Sequence, residues 1–203
     1  AEGAGFDLLT GLRSLVRQDP EVILIGEIRD ADAAAVALQA ALTGQLVLTT
    51  FHATDAAVAV SRLGEMGIPP YAIRSGVRTV VSQRLLRRLC TCAKPDADGA
   101  AAKVLRLESL GLSPAGVRTP HGCERCRHTG YAGRLAVAEV LNVDCPSVGE
   151  AILARKDAAA VRAAAAEAGT IGLLQRALRL ASEGVTSPEE VMRVFGIAPV
   201  ASL

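Results

Sequence analysis

Apolar residues recur along this chain at two periods, and the alternation between those periods predicts its architecture. Leu8, Leu12, Leu15 and Val16 share one face of a helix that runs to Gln18. Asp19-Pro20 ends it, because the residue before a proline is pushed out of the α region. "EVILIGEI" follows as an unbroken apolar run rich in β-branched residues, expected to be a strand covered by helices on both faces. "DADAAAVALQAAL", Asp30 to Leu42, predicts an Ala-rich helix with acids in its first turn, where they complement the helix dipole. "QLVLTTF" is the next buried strand, and "TDAAVAVSRLGEMG" the next helix, with Thr54 or Asp55 as its N-cap and Gly67 as its stop. Strand, helix, strand, helix in this order predicts βαβ units with a parallel sheet, so the first half is α/β.

The second half is less regular. A helix is expected over Tyr71 to Val81, and "QRLLRRL", Gln83 to Leu89, fits either a strand with its arginines on one side or a continuation of that helix. Residues 90–130 gather cysteines, prolines and glycines and read as a small insert. "GRLAVAEVL", Gly133 to Leu141, reads as a strand, and from Pro146 four helical stretches follow. In the last of them Ser187, Pro188 and Glu190 occupy the N-cap, N1 and N3 positions of a capping box. The division expected from these patterns is 1–89, 90–130 and 131–203.

Charge adds an exclusion. With 22 basic and 21 acidic residues the net charge is +1, which gives no broad attraction for nucleic acid or anionic lipid. Two tyrosines, three phenylalanines and no tryptophan leave no stacking platform for single strands, so nucleic acid is not expected as a partner. No run of about 18 apolar residues and no basic-then-apolar leader occurs, so neither a transmembrane span nor a signal peptide is expected, and the location expected is cytoplasmic. The opening "AEGAGFDLL", without methionine, reads as the cut end of something longer. Five cysteines without an export signal point to metal binding before disulfides. Four form two pairs, and Cys145 stands alone as a tolerated or buried thiol.

Two residues carry candidate catalytic chemistry. Ligands of open parallel sheets bind beyond the carboxyl ends of the strands, where Glu27 and His52 follow consecutive strands. A carboxylate after a small Gly26 amid apolar neighbours needs a cation or donor to compensate it, and magnesium on a nucleotide or an activated water supplies the need. Decoration of the following helix explains Asp30 well and Glu27 in part, and a strand-end histidine bonded to backbone is the plain alternative for His52.

From Gly11 to Ala56, "GLRSLVRQDPEVILIGEIRDADAAAVALQAALTGQLVLTTFHATDA" resembles the secretion ATPase family that drives type II secretion and type IV pilus assembly. "QRLLRRLC", "GCERCRHTGYAGR" and "GVTSPEEVMRV" extend the resemblance over essentially the whole chain. It implies a RecA-like P-loop ATPase core, present in part, with a cysteine-rich zinc-binding insert and a C-terminal helical region. "ILIGEIRD" becomes a Walker B segment with Gly26, Glu27 and Asp30 at the nucleotide and Mg2+ site and Glu27 as the catalytic acid. "TGQLVLTTFHATDA" becomes a His box with His52 near the γ-phosphate. Arg13 and Arg17 match arginines of the family's motif and would stabilise phosphate charge, though a solvated helix face explains them equally. ATP and Mg2+, a homo-hexamer, an inner-membrane platform and membrane-anchored recruiting proteins are implied likewise, which would hold the protein peripherally at that membrane. The family's phosphate loop, GxxxxGK[ST], and its acidic box are absent from these 203 residues and are expected upstream of Ala1, so this stretch alone is expected to be inactive. A non-catalytic module that kept the fold, or a different P-loop motor of secretion or conjugation, is the alternative.

Cys123 and Cys126 have the C-x-x-C spacing at which two thiolates reach one tetrahedral zinc. Cys90 and Cys92 are only C-x-C, one residue short of the pattern usual in the resembled family, which leaves His121 and His128 as possible substitute ligands. Four thiolates would close the coordination sphere and make Zn2+ structural.

Overall fold

A computed structural model describes residues 7–197. In chain order it contains α1 (Leu8–Val16), β1 (Val22–Ile25), α2 (Ala31–Leu42), β2 (Leu46–Thr49), α3 (Ala56–Glu65), α4 (Pro70–Gly76) and β3 (Thr79–Leu89). Then come β4 (Lys94–Pro95), α5 (Ala100–Val104), β5 (Arg118–Thr119), β6 (Tyr131–Asn142), α6 (Pro146–Leu153), α7 (Ala158–Glu167), α8 (Leu173–Ser182) and α9 (Pro188–Phe195). Residues 1–6 and 198–203, which belong to the first and last sequence divisions, lie outside the described part. Within it the chain forms two compact units, each of two segments: 7–82 with 140–170, and 83–139 with 171–197.

The first unit holds the βαβ pattern. β1 and β2 are parallel neighbours in the register Val22↔Leu46 to Ile25↔Thr49, with α2 as the crossover. Aspartates start α2, α3 and α7: the side chains of Asp30, Asp55 and Asp157 accept from the backbone N–H groups of Ala33, Val58 and Ala160, each satisfying a donor that the first helical turn leaves open. Asp55, not Thr54, is therefore the cap of α3. Small residues of α2, Ala33, Ala34, Ala37 and Ala40, let it lie close against Ile23 and Ile25, and Val148, Ile152 and Val161 extend the same core.

Two expectations change here. Only one face of β1 is covered, since Ile23 and Ile25 are buried while Leu24 is 77% exposed, and Leu46 and Leu48 are also exposed. A β-branched run reads the same whether one or both faces find partners. The helix expected over 71–81 stops at Gly76, and Thr79 begins β3. Val77 is extended, and the β-branched residues Thr79, Val80 and Val81 favour the pleated form.

"QRLLRRL" is thus strand, paired with β6. Its arginines do not share one side, because side chains alternate along a strand and Arg84 and Arg88 differ in parity from Arg87. The second unit has its own core, in which Leu86, Leu107, Val117, Val137, Ala177 and Val191 meet. Ser187 caps α9 as expected, its Oγ accepting from the Glu190 N–H at 3.2 Å. The other half of the capping box does not form as expected: the Glu190 carboxylate turns instead to Arg87 and Arg193. Among the described residues no helix is long and apolar enough to cross a membrane.

Candidate functional site

β1 and β2 end side by side, so the residues just beyond them share one rim. Thr50 Oγ1 donates to the Gly26 carbonyl at 2.6 Å, and the Ile28 N–H donates to the Thr50 carbonyl at 3.2 Å, which continues the bonding past both strand ends. That tie sets Glu27 opposite His52. His52 Nε2 lies 3.0 Å from Glu27 Oε1, and Arg29 closes on both carboxylate oxygens, with Nε 3.0 Å from Oε1 and Nη2 3.0 Å from Oε2. Glu27 is three-quarters covered while the side chains of His52 and Arg29 are open to solvent.

Hydrogen bonding from Arg29 holds the Glu27 carboxyl below its ordinary range; partial burial opposes this, and the charges of Arg29 and His52 reinforce it. The carboxylate is therefore ionised near neutral pH, suited to bind a cation or orient a water. The histidine loop is held from the helix side too. Arg62 of α3 donates to the His52 carbonyl and lies over the Phe51 ring, 5.4 Å from its centroid. Asp55 spends one oxygen on the α3 cap and the other on Arg162 of α7, at 2.7 Å.

The remaining candidates fall into different places. Gly26 presents its carbonyl to Thr50. Asp30 accepts from Ala33 at 2.8 Å as the cap of α2. Arg13 and Arg17 are both exposed on α1 and its C-cap, Arg17 Nε donating to the Arg13 carbonyl at 3.2 Å, and among the described residues neither pairs with an acid. Arg29, Arg62 and Thr50 escaped the sequence reading. Arg29 stands two residues from the acid it grips, in a stretch past β1 that is neither helix nor strand, so no element's period pointed to the pair.

The second unit gathers the other candidates. The sulfurs of Cys90, Cys92, Cys123 and Cys126 lie within 4.8 Å of one another, and neither His121 nor His128 belongs to the group. Three of the Sγ···Sγ distances are 4.0 Å for Cys90–Cys123, 3.9 Å for Cys92–Cys126 and 3.8 Å for Cys123–Cys126. A tetrahedral site with Zn–S bonds of about 2.3 Å has sulfurs about 3.8 Å apart. Four thiols at this spacing therefore fit a zinc ion, and the C-x-C pair reaches the group despite its missing residue.

Local backbone explains the convergence. Gly130 is in the left-handed region, and a Cβ there would sit 2.4 Å from Pro120 Cβ; a Cβ on Gly122 would meet the His128 carbonyl oxygen at 2.8 Å. Only glycine lets these two turns fold onto each other. The backbone N–H groups of Cys123 and Gly130 donate to Cys126 Sγ at 3.1 and 3.3 Å. Burial works to raise the Cys126 thiol, but those donors and its neighbours outweigh it and bring it down to about 6. Burial pushes Cys92 up to about 12. Backbone donors thus favour the anionic form that a metal requires within the cluster, while burial opposes it.

Known proteins resemble this chain over most of its length. The pattern described as Type II/IV secretion system protein matches residues 2–193. The chain is 42% identical over 198 residues to the type IV pilus assembly ATPase PilB of Thermus thermophilus, covering 93% of this chain and 21% of that protein. It is 41% identical over 186 residues to the type II secretion system ATPase E of Vibrio cholerae, covering 91% of this chain and 36% of the other. Among solved structures, the pilus retraction motor PilT with bound ADP superposes with a TM-score of 0.63 at 20% identity, over 94% of this chain and 44% of that one. The ATPase DotB of Legionella pneumophila gives 0.61 at 22% identity, over 95% and 43%. At such identities the likeness shows a shared fold. The chain thus spans between about a fifth and just over a third of the curated relatives named here, and it belongs to the type II/IV secretion system protein family.

Proposed function

We propose that this chain is the C-terminal part of a cytoplasmic ATPase that powers type II secretion or type IV pilus assembly, working as a homo-hexamer docked on an inner-membrane platform through membrane-anchored recruiting proteins. The observation that carries the proposal is the 3.0 Å contact between Glu27 and His52 beyond two parallel strands. That rim is where ligands of such sheets bind.

In this reading Glu27 orients and deprotonates the water that attacks the terminal phosphate of ATP, and His52, fixed through its own carbonyl by Arg62, faces the phosphate oxygens. To reach a water Glu27 exchanges one of its two side-chain partners, Arg29 or His52. Magnesium takes oxygen ligands and leans on the substrate's phosphates, so one carboxylate at this rim is a fitting contribution from this chain. In this reading a phosphate loop outside these 203 residues completes the site. In the same reading Arg13 and Arg17 act as charge-stabilising arginines, and Gly26 and Asp30 belong with Glu27 to the nucleotide and Mg2+ site. Residues 1–89 carry the ATPase role, 90–130 the metal module, and 131–203 the closing strand and helices. Cys90, Cys92, Cys123 and Cys126 hold zinc, which supplies cross-linking and no reactive water, because four thiolates leave no open position.

The test is Glu27→Gln in the complete motor. Nucleotide binding is expected to stay within about twofold while turnover falls at least tenfold, about 1.4 kcal/mol of barrier. Unchanged turnover would remove Glu27 from the reaction. His52→Ala is expected to slow turnover as well; a loss of thermal stability alone would assign it a packing role.

A further inference from the structure

The four thiols are delivered by two chain segments that share one anchor far away in sequence. Cys90 is the first residue after β3, and its N–H donates to the Gly130 carbonyl at 2.9 Å, one residue before β6 begins. Residues 185–190, which lead into α9, hold both strand ends. The Leu89 N–H donates to the Val185 carbonyl at 3.0 Å, and Thr186 Oγ1 donates to the Arg87 carbonyl at 2.8 Å. Glu190 accepts from the Arg87 backbone N–H at 2.9 Å and from its Nε at 2.8 Å. On the other strand, the Tyr131 hydroxyl meets Ser187 Oγ at 2.6 Å, and the Arg87 guanidinium lies over the Tyr131 ring, 4.0 Å from its centroid. Thr186, Ser187 and Glu190 are fully buried.

A buried carboxylate costs several kcal/mol unless it is paired and bonded, and Glu190 is both. Such a network has one low-energy arrangement, so it fixes where β3 ends and β6 begins. We propose that residues 185–190, with Glu190 at their centre, are a positioning clamp for the metal site: they preset the two cysteine-bearing segments at the spacing that one ion needs, and so govern how long zinc is retained. This rests on the reading of the four cysteines as a zinc site. Without the clamp, more of the ordering of both segments falls on the metal–sulfur bonds, and partners outside the ligand set commonly change metal affinity by about 10- to 100-fold.

The experiment is zinc release from the 203-residue chain into excess colorimetric chelator, with thermal unfolding measured in parallel. Glu190→Gln is expected to release zinc at least about tenfold faster than the wild type. Leu107→Ala, which opens the same core without removing any of the clamp's hydrogen bonds, is the control for general destabilisation. It is expected to unfold at a lower temperature but to release zinc within about twofold of the wild-type rate. Equal acceleration in both variants would overturn the clamp, as would wild-type release from Glu190→Gln. If Glu190→Gln does not fold, Tyr131→Phe and Thr186→Val, which each remove one tie between the clamp and a strand end, decide the matter. About threefold faster release supports the clamp, and no change overturns it. A folded wild type without zinc overturns the zinc reading itself, whereas a loaded wild type with unmoved variants overturns only the clamp.

Discussion

The rim at Glu27 and the cysteine cluster both assemble charged or reactive groups on loops beyond strands, yet they are built to opposite degrees of closure. At the rim, Arg29 and His52 reach the acid from solvent, and the strands behind it leave Leu24, Leu46 and Leu48 uncovered. Around the cysteines the supports are largely internal: Cys90 and Cys126 are buried, glycines admit the close turns, a buried glutamate ties the end of β3 to α9, and Tyr131 at the start of β6 meets the buried Ser187. The second region is complete within this chain. The first has the form of one wall of a site, with polar chemistry at its edge and apolar surface beside it. The contrast teaches that stability and activity are separable here, since groups that hold the fold are buried and multiply bonded, while groups with candidate chemistry are exposed and exchangeable.

Four outcomes would sharpen or break that separation. Removal of zinc is expected to act most strongly: structural zinc contributes on the order of 10 kcal/mol in small metal-folded modules, so chelation or Cys126→Ser should melt the second unit well below the wild-type temperature. Elemental analysis of protein purified without added metal is expected to find about one zinc per chain.

Next comes Glu190→Gln. Burial would raise the Glu190 carboxyl, but hydrogen bonds from Arg193 and Arg87 prevail and hold it at about 2 against an ordinary 4.5. A depressed carboxyl stabilises the fold above its unfolded value, and that contribution fades as pH falls from about 4.5 through about 2. Its size is on the order of 3 kcal/mol, so the variant should unfold that much more easily at neutral pH and lose part of the wild type's sensitivity to acid. Denaturant melts at pH 7 and pH 3 measure both effects.

Asp55→Ala removes an N-cap and the partner of Arg162, and is expected to cost about 1 kcal/mol, chiefly through the cap, because a half-exposed ion pair adds little. The smallest effect belongs to the open face. Leu24→Thr should change stability by less than about 0.5 kcal/mol, whereas Ile23→Ala, on the buried side of the same strand, should cost about 2–5 kcal/mol. A large loss from Leu24→Thr would mean that this face is covered in solution.

Much of this protein was decided within a few residues. Polar residues placed just before apolar helical runs gave caps at Asp30, Asp55 and Ser187, because capping is a contact across three residues. The two strands, the crossover between them and the C-x-x-C pair were legible for the same reason: period and short spacing are local quantities. What the sequence left open depended on partners far along the chain. Whether 83–89 was helix or strand followed from pairing with β6. That C-x-C joins the sulfur cluster depended on a loop more than 30 residues away. The role of Glu190 was misread because its N3 position promised a local bond, whereas a guanidinium and an N–H from 103 residues earlier supplied stronger ones. A charged group at a helix start goes where desolvation is best compensated, and only the folded chain determines which partner arrives there.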